Sequence, residues 1–166
     1  MEKAERWFAV QVKSRCENTV ARVLRNKTEA VFAPIYESIR VRPNGQKMIQ
    51  QPLIPGYVFS RFDVEHRLPV LTTPYVMSIV SFGRQPAPID PVEIENLQRA
   101  ASSPHQCQPW MYLKVGQKAR IISGPLAGVE GILVDDRKAA RLVLSIELLL
   151  RAVAVEVPSK AVAAIG

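Results

Sequence analysis

A segment without hydrophobic periodicity divides this chain of 166 residues into two parts with different structural patterns. Residues 102–111 contain two prolines and follow neither a helical nor a strand period. Before this segment both helical and strand patterns occur, whereas after it there are only short apolar segments separated by glycine, proline and polar residues. We therefore predict an α+β domain over residues 1–103, a linker over 104–112 and a small all-β barrel domain over 113–166.

The first part begins with a predicted strand and helix. Trp7 to Val12 is a run of aromatic and branched residues that is typical of a strand buried on both faces. Ser14 and Glu17 have the spacing of a capping box, in which each side chain bonds to a free backbone amide at the start of a helix. The apolar stripe of this helix consists of Cys16, Val20, Val23 and Leu24.

A basic hairpin is predicted next. Two extended segments, 37–42 and 47–51, flank a Pro-Asn-Gly-Gln sequence that suits a tight turn. The hairpin carries Arg40, Arg42 and Lys47, which can neutralise phosphate groups without reading a base sequence. Contact with nucleic acid and a solvated hairpin without a partner are both compatible with this pattern.

The sequence from Leu53 to Phe59, Leu-Ile-Pro-Gly-Tyr-Val-Phe, places a turn signal among large apolar side chains. A Pro-Gly pair usually marks a turn that faces water. In the strand that follows, Tyr57, Phe59 and Arg61 share one face of the sheet. The pattern therefore fits either a buried corner or an apolar edge that binds another molecule.

Further elements follow in both parts. A short helix is predicted within 63–73, with Pro69 in its first turn, then a strand over 74–82 and a helix from Asp90 to about Ala101. In the second part, apolar segments predict strands over 118–122, 129–134, 141–150 and 152–157, with an Asp-Asp-Arg-Lys turn at 135–138. Alternation of Val153, Val155 and Val157 predicts a strand with one core-facing side.

Charge and cysteine content limit the class of protein. The formal net charge of +7 favours polyanionic partners such as nucleic acid or acidic protein surfaces. Cys16 and Cys107 are far apart and lack the spacing of a zinc site or a disulfide framework, so we expect reduced thiols and no bound metal. Neither a signal peptide nor a membrane span is predicted, and we expect a cytoplasmic monomer.

No set of residues predicts catalysis or a cofactor. His66 and His105 lie in polar surroundings, and neither is accompanied by a nucleophile or by paired carboxylates. The glycine-rich sequence from Gly124 to Gly131 lacks the Gly-Lys-Ser/Thr ending of a phosphate loop and is better explained by a strand-turn-strand unit. We therefore expect a protein that is not an enzyme.

Four stretches in this order resemble one family, and together they cover nearly the whole chain. They are Trp-Phe-Ala-Val at 7–10, Ile-Pro-Gly-Tyr-Val at 54–58, Pro-Ala-Pro-Ile at 86–89 and Ile-Ser-Gly-Pro-Leu-Ala-Gly-Val-Glu-Gly at 122–131. The chain is similar to bacterial NusG-type transcription elongation factors. This resemblance implies an N-terminal NGN domain with an antiparallel sheet flanked by helices, and a C-terminal KOW domain folded as an SH3-like barrel. It assigns the KOW motif to Gly124, Pro125, Gly128 and Gly131.

The resemblance also implies partners and contact residues. In this family the N-terminal domain binds the clamp helices of RNA polymerase, keeps the clamp closed and suppresses pausing. Carried onto this sequence, the clamp-helix contact consists of Ile54, Pro55, Gly56, Tyr57 and Phe59, with Trp7 as a buttress. The basic hairpin would contact upstream or non-template DNA.

One departure from the family pattern concerns the second partner. General members carry a Ser-Ile-Phe-Gly-Arg-type sequence that docks a ribosomal protein or the Rho factor, whereas here Ser145-Ile146 is followed by Glu-Leu-Leu-Leu-Arg. Together with Ala33-Pro34, Pro52-Leu53 and Ser81-Phe82-Gly83, this favours a specialised antiterminator of the RfaH kind. The branched run around Val155 argues against a helical form of the second domain. A general NusG factor and a KOW-type RNA- or ribosome-binding module are the alternatives.

Overall fold

The computed structural model describes residues 4–135 and 140–166. The chain divides into two compact units, Met1–Pro91 and Val92–Gly166. The predicted domain boundary near residue 103 stays a prediction.

The first unit is a mixed α and β structure. Its elements in chain order are β1 (Glu5–Val12), α1 (Glu17–Leu24), β2 (Ala30–Phe32), β3 (Ile35–Arg42), β4 (Gly45–Pro52), β5 (Tyr57–Asp63), a 3-10 turn (Val64–His66), α2 (Leu68–Leu71), β6 (Val76–Ile79), β7 (Ser81–Phe82) and β8 (Gln85–Pro86). Four of the strands form an antiparallel sheet in the order β2-β5-β1-β6, whereas β3 pairs with β4 and β7 pairs with β8. The predicted hairpin and the helix with Pro69 near its start are confirmed.

One face of the four-stranded sheet packs on α1 and on Val70 of α2, and this layer is the core of the unit. Its buried members are Phe8, Val10, Val12, Val20, Ala21, Leu24, Val58, Phe62, Val70 and Ile79. The rings of Phe8 and Phe62 lie with their centroids 4.8 Å apart, within the range of favourable aromatic pairs. The strand predicted from Trp7 is confirmed, since Phe8, Ala9 and Val10 are all buried and therefore both faces of β1 are covered.

The predicted capping box at the start of α1 is wrong. The N-cap residue is Cys16, whose side chain makes no capping bond, and Glu17 is the first residue of the helix. The chain turns before the helix at Arg15, which has a φ of 68°. Glu17 instead accepts a hydrogen bond from the backbone amide of Gly56, a donor that is distant in sequence and absent from any local pattern.

The second unit is rich in β structure. It contains α3 (Pro91–Ser102), whose first residue belongs to the first unit, followed by β9 (Cys107–Trp110), β10 (Gln117–Ile121), β11 (Glu130–Asp135), β12 (Ala140–Ile146), a 3-10 turn (Glu147–Leu149), β13 (Arg151–Val157), a 3-10 turn (Ser159–Ala161) and β14 (Val162–Ala164). The strands form one antiparallel sheet in the order β14-β10-β11-β12-β13-β9. The helix predicted to end near Ala101 and the four predicted strands are confirmed, although the third strand ends at Ile146 and not at residue 150. The prediction of β rather than helical structure in this region is also confirmed.

The second unit also differs from the sequence predictions in two ways. The segment 104–112 was predicted to lack regular structure, but it contains β9, which pairs with β13 at the edge of the sheet. Pro109 is tolerated there because an edge strand leaves half of its backbone groups unpaired. In addition, β13 is buried on both faces rather than one, since Ala152 to Val155 are all buried. Most of the predicted turn at 135–138 lies outside the described residues.

Within the part of the chain that the structure describes, no helix is long and apolar enough to cross a bilayer.

Candidate functional site

A recess of about 440 Å³ opens beside the Pro-Gly turn in the first unit. Its apolar lining includes Ala33, Ile35 and Tyr57, and its polar lining includes Arg15, which precedes α1, and Asn18 in the first turn of α1. Residues at the base of the β3–β4 hairpin also line it. The recess can therefore take an apolar group whose flanking atoms are polar.

The turn that borders this recess is held by its backbone. Gly56 has a φ of 88°, a conformation that costs glycine little and most other residues about 1 kcal/mol or more. Its amide donates to Glu17 Oε2 at 3.0 Å, and its carbonyl oxygen accepts from the amide of Val12 at 2.9 Å. Because Glu17 is only 7% exposed, this bond is shielded from water. The turn is thus anchored to both β1 and α1.

The residues predicted for the clamp-helix contact are not all at the surface. Pro55 is exposed and Tyr57 is half-buried, and both line the recess. Ile54 and Phe59 are 2% and 0% exposed, so each is part of the packed interior in this structure. The ring of Phe59 lies 6.2 Å from that of Phe32 on the neighbouring strand β2.

Trp7 does not line this recess. It is half-buried on β1, opposite Arg61 of β5, and the guanidinium carbon of Arg61 lies 5.9 Å from the centre of the indole ring. These two side chains border a separate recess of about 680 Å³ together with Pro88 and Pro91. The cation–π contact gives Trp7 a partner within the first unit, and its predicted role as a buttress of the clamp-helix contact stays a prediction.

The β3–β4 hairpin has two chemically different faces. Partners across the ladder point to the same side, so Arg40 lies opposite Lys47, and Arg42 lies on that same side. We call this side the cationic face. The opposite side carries Ile39, Val41 and Met48 and is called the apolar face. All six side chains are exposed.

In the second unit, the predicted KOW motif forms the loop between β10 and β11 and the start of β11. Gly124 and Gly128 have positive φ, Pro125 is exposed, and Leu126 and Val129 anchor the loop in the interior. The side chain of Arg99 on α3 donates to the carbonyl oxygens at positions 125 and 127, at 3.0 and 2.9 Å.

Gly131 allows a close approach between strands. A Cβ atom at this position would lie 2.5 Å from the carbonyl oxygen of Val143 on β12. Such a distance is incompatible with any side chain unless the backbone shifts.

A 3-10 turn, Glu147–Leu149, follows Ser145-Ile146, and Leu150 is its C-cap residue. Leu150 has a φ of 52°, a left-handed conformation that is uncommon for leucine, and its side chain is exposed. The backbone amide of Glu147 donates to Glu93 Oε2 on α3 at 3.3 Å. The sequence that replaces the family's Ser-Ile-Phe-Gly-Arg pattern therefore exposes a leucine side chain at this turn.

No cluster of three or more histidine, cysteine or acidic side chains that could hold a metal occurs among residues 4–135 and 140–166. Burial raises the pKa of the Cys107 thiol to about 11, so it is protonated at neutral pH, and its Sγ donates to the carbonyl oxygen of Ala100 at 3.4 Å.

One residue of the recess was missed by sequence reasoning, because Glu17 was assigned to helix capping. Acidic residues are common at the start of a helix. The local sequence therefore does not show whether such a residue caps its own helix or accepts a hydrogen bond from a distant segment, as Glu17 does from Gly56.

Comparisons with known proteins give a consistent result. A profile of the family described as "Transcription termination factor nusG" matches residues 5–98. The chain is 28% identical over 170 residues to the transcription termination/antitermination protein NusG of Yersinia pestis, with 92% of each chain covered. It is 21% identical over 164 residues to NusG of Helicobacter pylori strain J99, which covers 91% of this chain and 93% of that protein.

A solved structure gives the same result. The chain aligns with the structure described as "Domain interaction in Thermotoga maritima NusG" with a TM-score of 0.58 and 26% identity, and the alignment covers 98% of each chain.

Proposed function

The chain belongs to the NusG family, and we propose that it is a non-enzymatic transcription elongation and antitermination factor that binds the clamp helices of RNA polymerase. The observation that carries this proposal is the open recess beside Tyr57. A partly apolar lining that includes a tyrosine suits the tip of a partner helix, because the ring offers apolar area while the hydroxyl stays solvated or hydrogen-bonded. Pro55 and Tyr57 would make the contact, and Ile54, Gly56 and Phe59 would support it from beneath.

The cationic face of the hairpin is proposed to bind phosphates of upstream or non-template DNA. Arg40 and Lys47 lie directly opposite each other across the ladder, and like charges in this arrangement destabilise an isolated hairpin. A polyanion beside them would attract both cations and so offset their mutual repulsion. Because such contacts neutralise phosphate, they would contribute affinity and position rather than sequence specificity.

The six-stranded sheet of the second unit is proposed to be a KOW-type SH3-like barrel that recruits a second partner. The loop with Gly124, Pro125 and Gly128, and the close approach at Gly131, support this assignment. The altered turn with its exposed Leu150 lacks the family's usual aromatic residue. We therefore propose a specialised factor that acts on selected operons, rather than one that docks Rho or ribosomal protein as general members do.

Affinity purification from the native cell, with and without nuclease, tests the proposal. Recovery of RNA polymerase subunits after nuclease treatment supports an elongation factor. Recovery of ribosomal particles without polymerase would refute it and favour an RNA- or ribosome-binding module. Mapping of the factor along the genome then separates the subclasses, because a specialised factor occupies few operons and a general one occupies most transcribed genes.

A further inference from the structure

The apolar face of the β3–β4 hairpin is a surface that DNA binding does not explain. Ile39, Val41 and Met48 are 61%, 75% and 57% exposed, and they lie together on one side of the ribbon because the register pairs Ile39 with Met48. Each of these three residues is a direct sequence neighbour of a residue of the cationic face. The segregation is thus maintained along the outer half of the ribbon.

We propose that the hairpin contacts two partners at once, DNA phosphate through its cationic face and an apolar protein surface of RNA polymerase through its apolar face. This inference rests on the proposed function and assigns a role to each side of the ribbon. The two faces of a strand pair point in opposite directions, so a single DNA backbone cannot occupy both.

The charge distribution favours protein over nucleic acid on the apolar face. The apolar face has no cation along the paired strands, and nearer the hairpin base it carries Glu37, which lies opposite Gln50. A phosphate backbone on this side would gain no counter-charge and would meet a carboxylate. An apolar protein surface instead removes three large side chains from water, a favourable change of about 25 cal/mol per Å² of apolar area.

The apolar face is too small to hold together a stable dimer of this chain. A standard protein interface buries about 800 Å² on each partner, far more than three side chains supply. The face is therefore suited to a contact that forms once another surface of the same partner is already bound. Exposed apolar patches of this kind commonly mark such interaction sites.

The recess supplies that first contact. The base of the hairpin forms part of its lining, and there Ile35, Gln50 and Pro52 lie on the same side of the ribbon as the apolar face. From this base the two strands, each of eight residues, extend about 25 Å at the usual rise per residue. A polymerase docked in the recess would hence lie beside the ribbon, and the apolar face can extend that interface.

Two matched triple variants test the assignment. The apolar-face variant carries Ile39→Thr, Val41→Thr and Met48→Thr, which keep a residue type that suits strands, and the cationic-face variant carries Arg40→Gln, Arg42→Gln and Lys47→Gln. Binding of each variant and of the wild type is measured against core RNA polymerase without nucleic acid and against an assembled elongation complex, over a series of salt concentrations. Circular dichroism and hydrogen exchange of the hairpin amides verify that the ribbon is intact, and the single Ile39→Thr variant replaces the triple one if it is not.

The apolar-face variant is expected to bind nucleic-acid-free polymerase about tenfold more weakly than the wild type, with an unchanged salt dependence on the elongation complex. The cationic-face variant is expected to bind nucleic-acid-free polymerase normally, with a shallower salt dependence on the elongation complex. If the apolar-face variant binds nucleic-acid-free polymerase as the wild type does, or weakens only when DNA is present, the inference is overturned. Failure of the wild type itself to bind polymerase would instead refute the proposed function.

Discussion

Replacement of Glu17 by alanine tests how the Pro-Gly turn beside the recess is held. The Glu17 carboxylate is 7% exposed and accepts from the Gly56 amide at 3.0 Å. Its removal leaves that amide without its acceptor in a site shielded from water. Hydrogen bonds to charged groups contribute about 1.5–3 kcal/mol to stability, so we expect the free energy of unfolding to fall by about 2 kcal/mol.

The effect on hydrogen exchange at the turn is more informative than the effect on the free energy of unfolding. Without the bond to Glu17, Gly56 still has the bond from the Val12 amide to its carbonyl oxygen, but its own amide loses its acceptor. The Gly56 amide should then exchange with solvent at least tenfold faster in Glu17→Ala, because about 1.4 kcal/mol of local stabilisation corresponds to a factor of ten. Glu17→Gln, which retains a neutral acceptor oxygen of similar shape, should restore part of the protection.

Denaturant unfolding and hydrogen exchange followed by NMR measure these two effects. Glu29→Ala serves as the control, since Glu29 is an exposed acidic residue of the same unit and its loss should change neither quantity. Unchanged protection of the Gly56 amide in Glu17→Ala would refute the reasoning, as would an equal loss of stability in the control.

Three further predictions concern the second unit. Ile94→Ala, at a position with no solvent exposure on α3, should lower the free energy of unfolding by about 2–5 kcal/mol, whereas Val92→Ala at an exposed position of the same helix should change it by less than about 0.5 kcal/mol, both measured by urea denaturation. Gly131→Ala should lower the melting temperature, because its Cβ would meet the Val143 carbonyl oxygen at 2.5 Å; a melting temperature equal to that of the wild type would contradict this geometry. The pKa of Cys107 is raised from 9.0 to about 11 in the folded state, so folding retains a proton that the unfolded chain loses, and stability should decline as the pH rises from about 9 to 11; a Cys107→Ser variant with the same decline would exclude the thiol as the cause.

The local patterns of this sequence were sufficient for most of the elements. The hairpin followed from an Asn-Gly turn between extended segments, and the strands of the second unit followed from short apolar runs separated by glycine, proline or polar residues. The strand β9 could not be predicted, because its pairing with β13 uses backbone groups and leaves no alternation in a segment that contains Pro109. Glu17 was misassigned for a related reason, since its partner Gly56 is distant in sequence.

Whether a predicted contact residue of β5 is buried or reaches the recess depends on its position along the strand and not on its residue type. Tyr57 and Phe59 occupy the same face of β5, so alternation treats them alike. Phe59 lies between Ala9 of β1 and Phe32 of β2 and is fully buried, whereas Tyr57 begins the strand and reaches the recess. The two positions differ in burial because β2 lies beside Phe59 but does not extend to Tyr57. The residue types alone do not show where β2 ends.

The affinity of this chain for an isolated clamp-helix fragment of RNA polymerase, measured for Tyr57→Ala and Tyr57→Phe by calorimetry, tests the central claim most directly. Tyr57→Ala should weaken binding at least tenfold, because it removes the ring from the edge of the recess, and Tyr57→Phe should bind within about threefold of the wild type because it keeps the ring. A folded Tyr57→Ala variant that binds the fragment as tightly as the wild type would contradict the account.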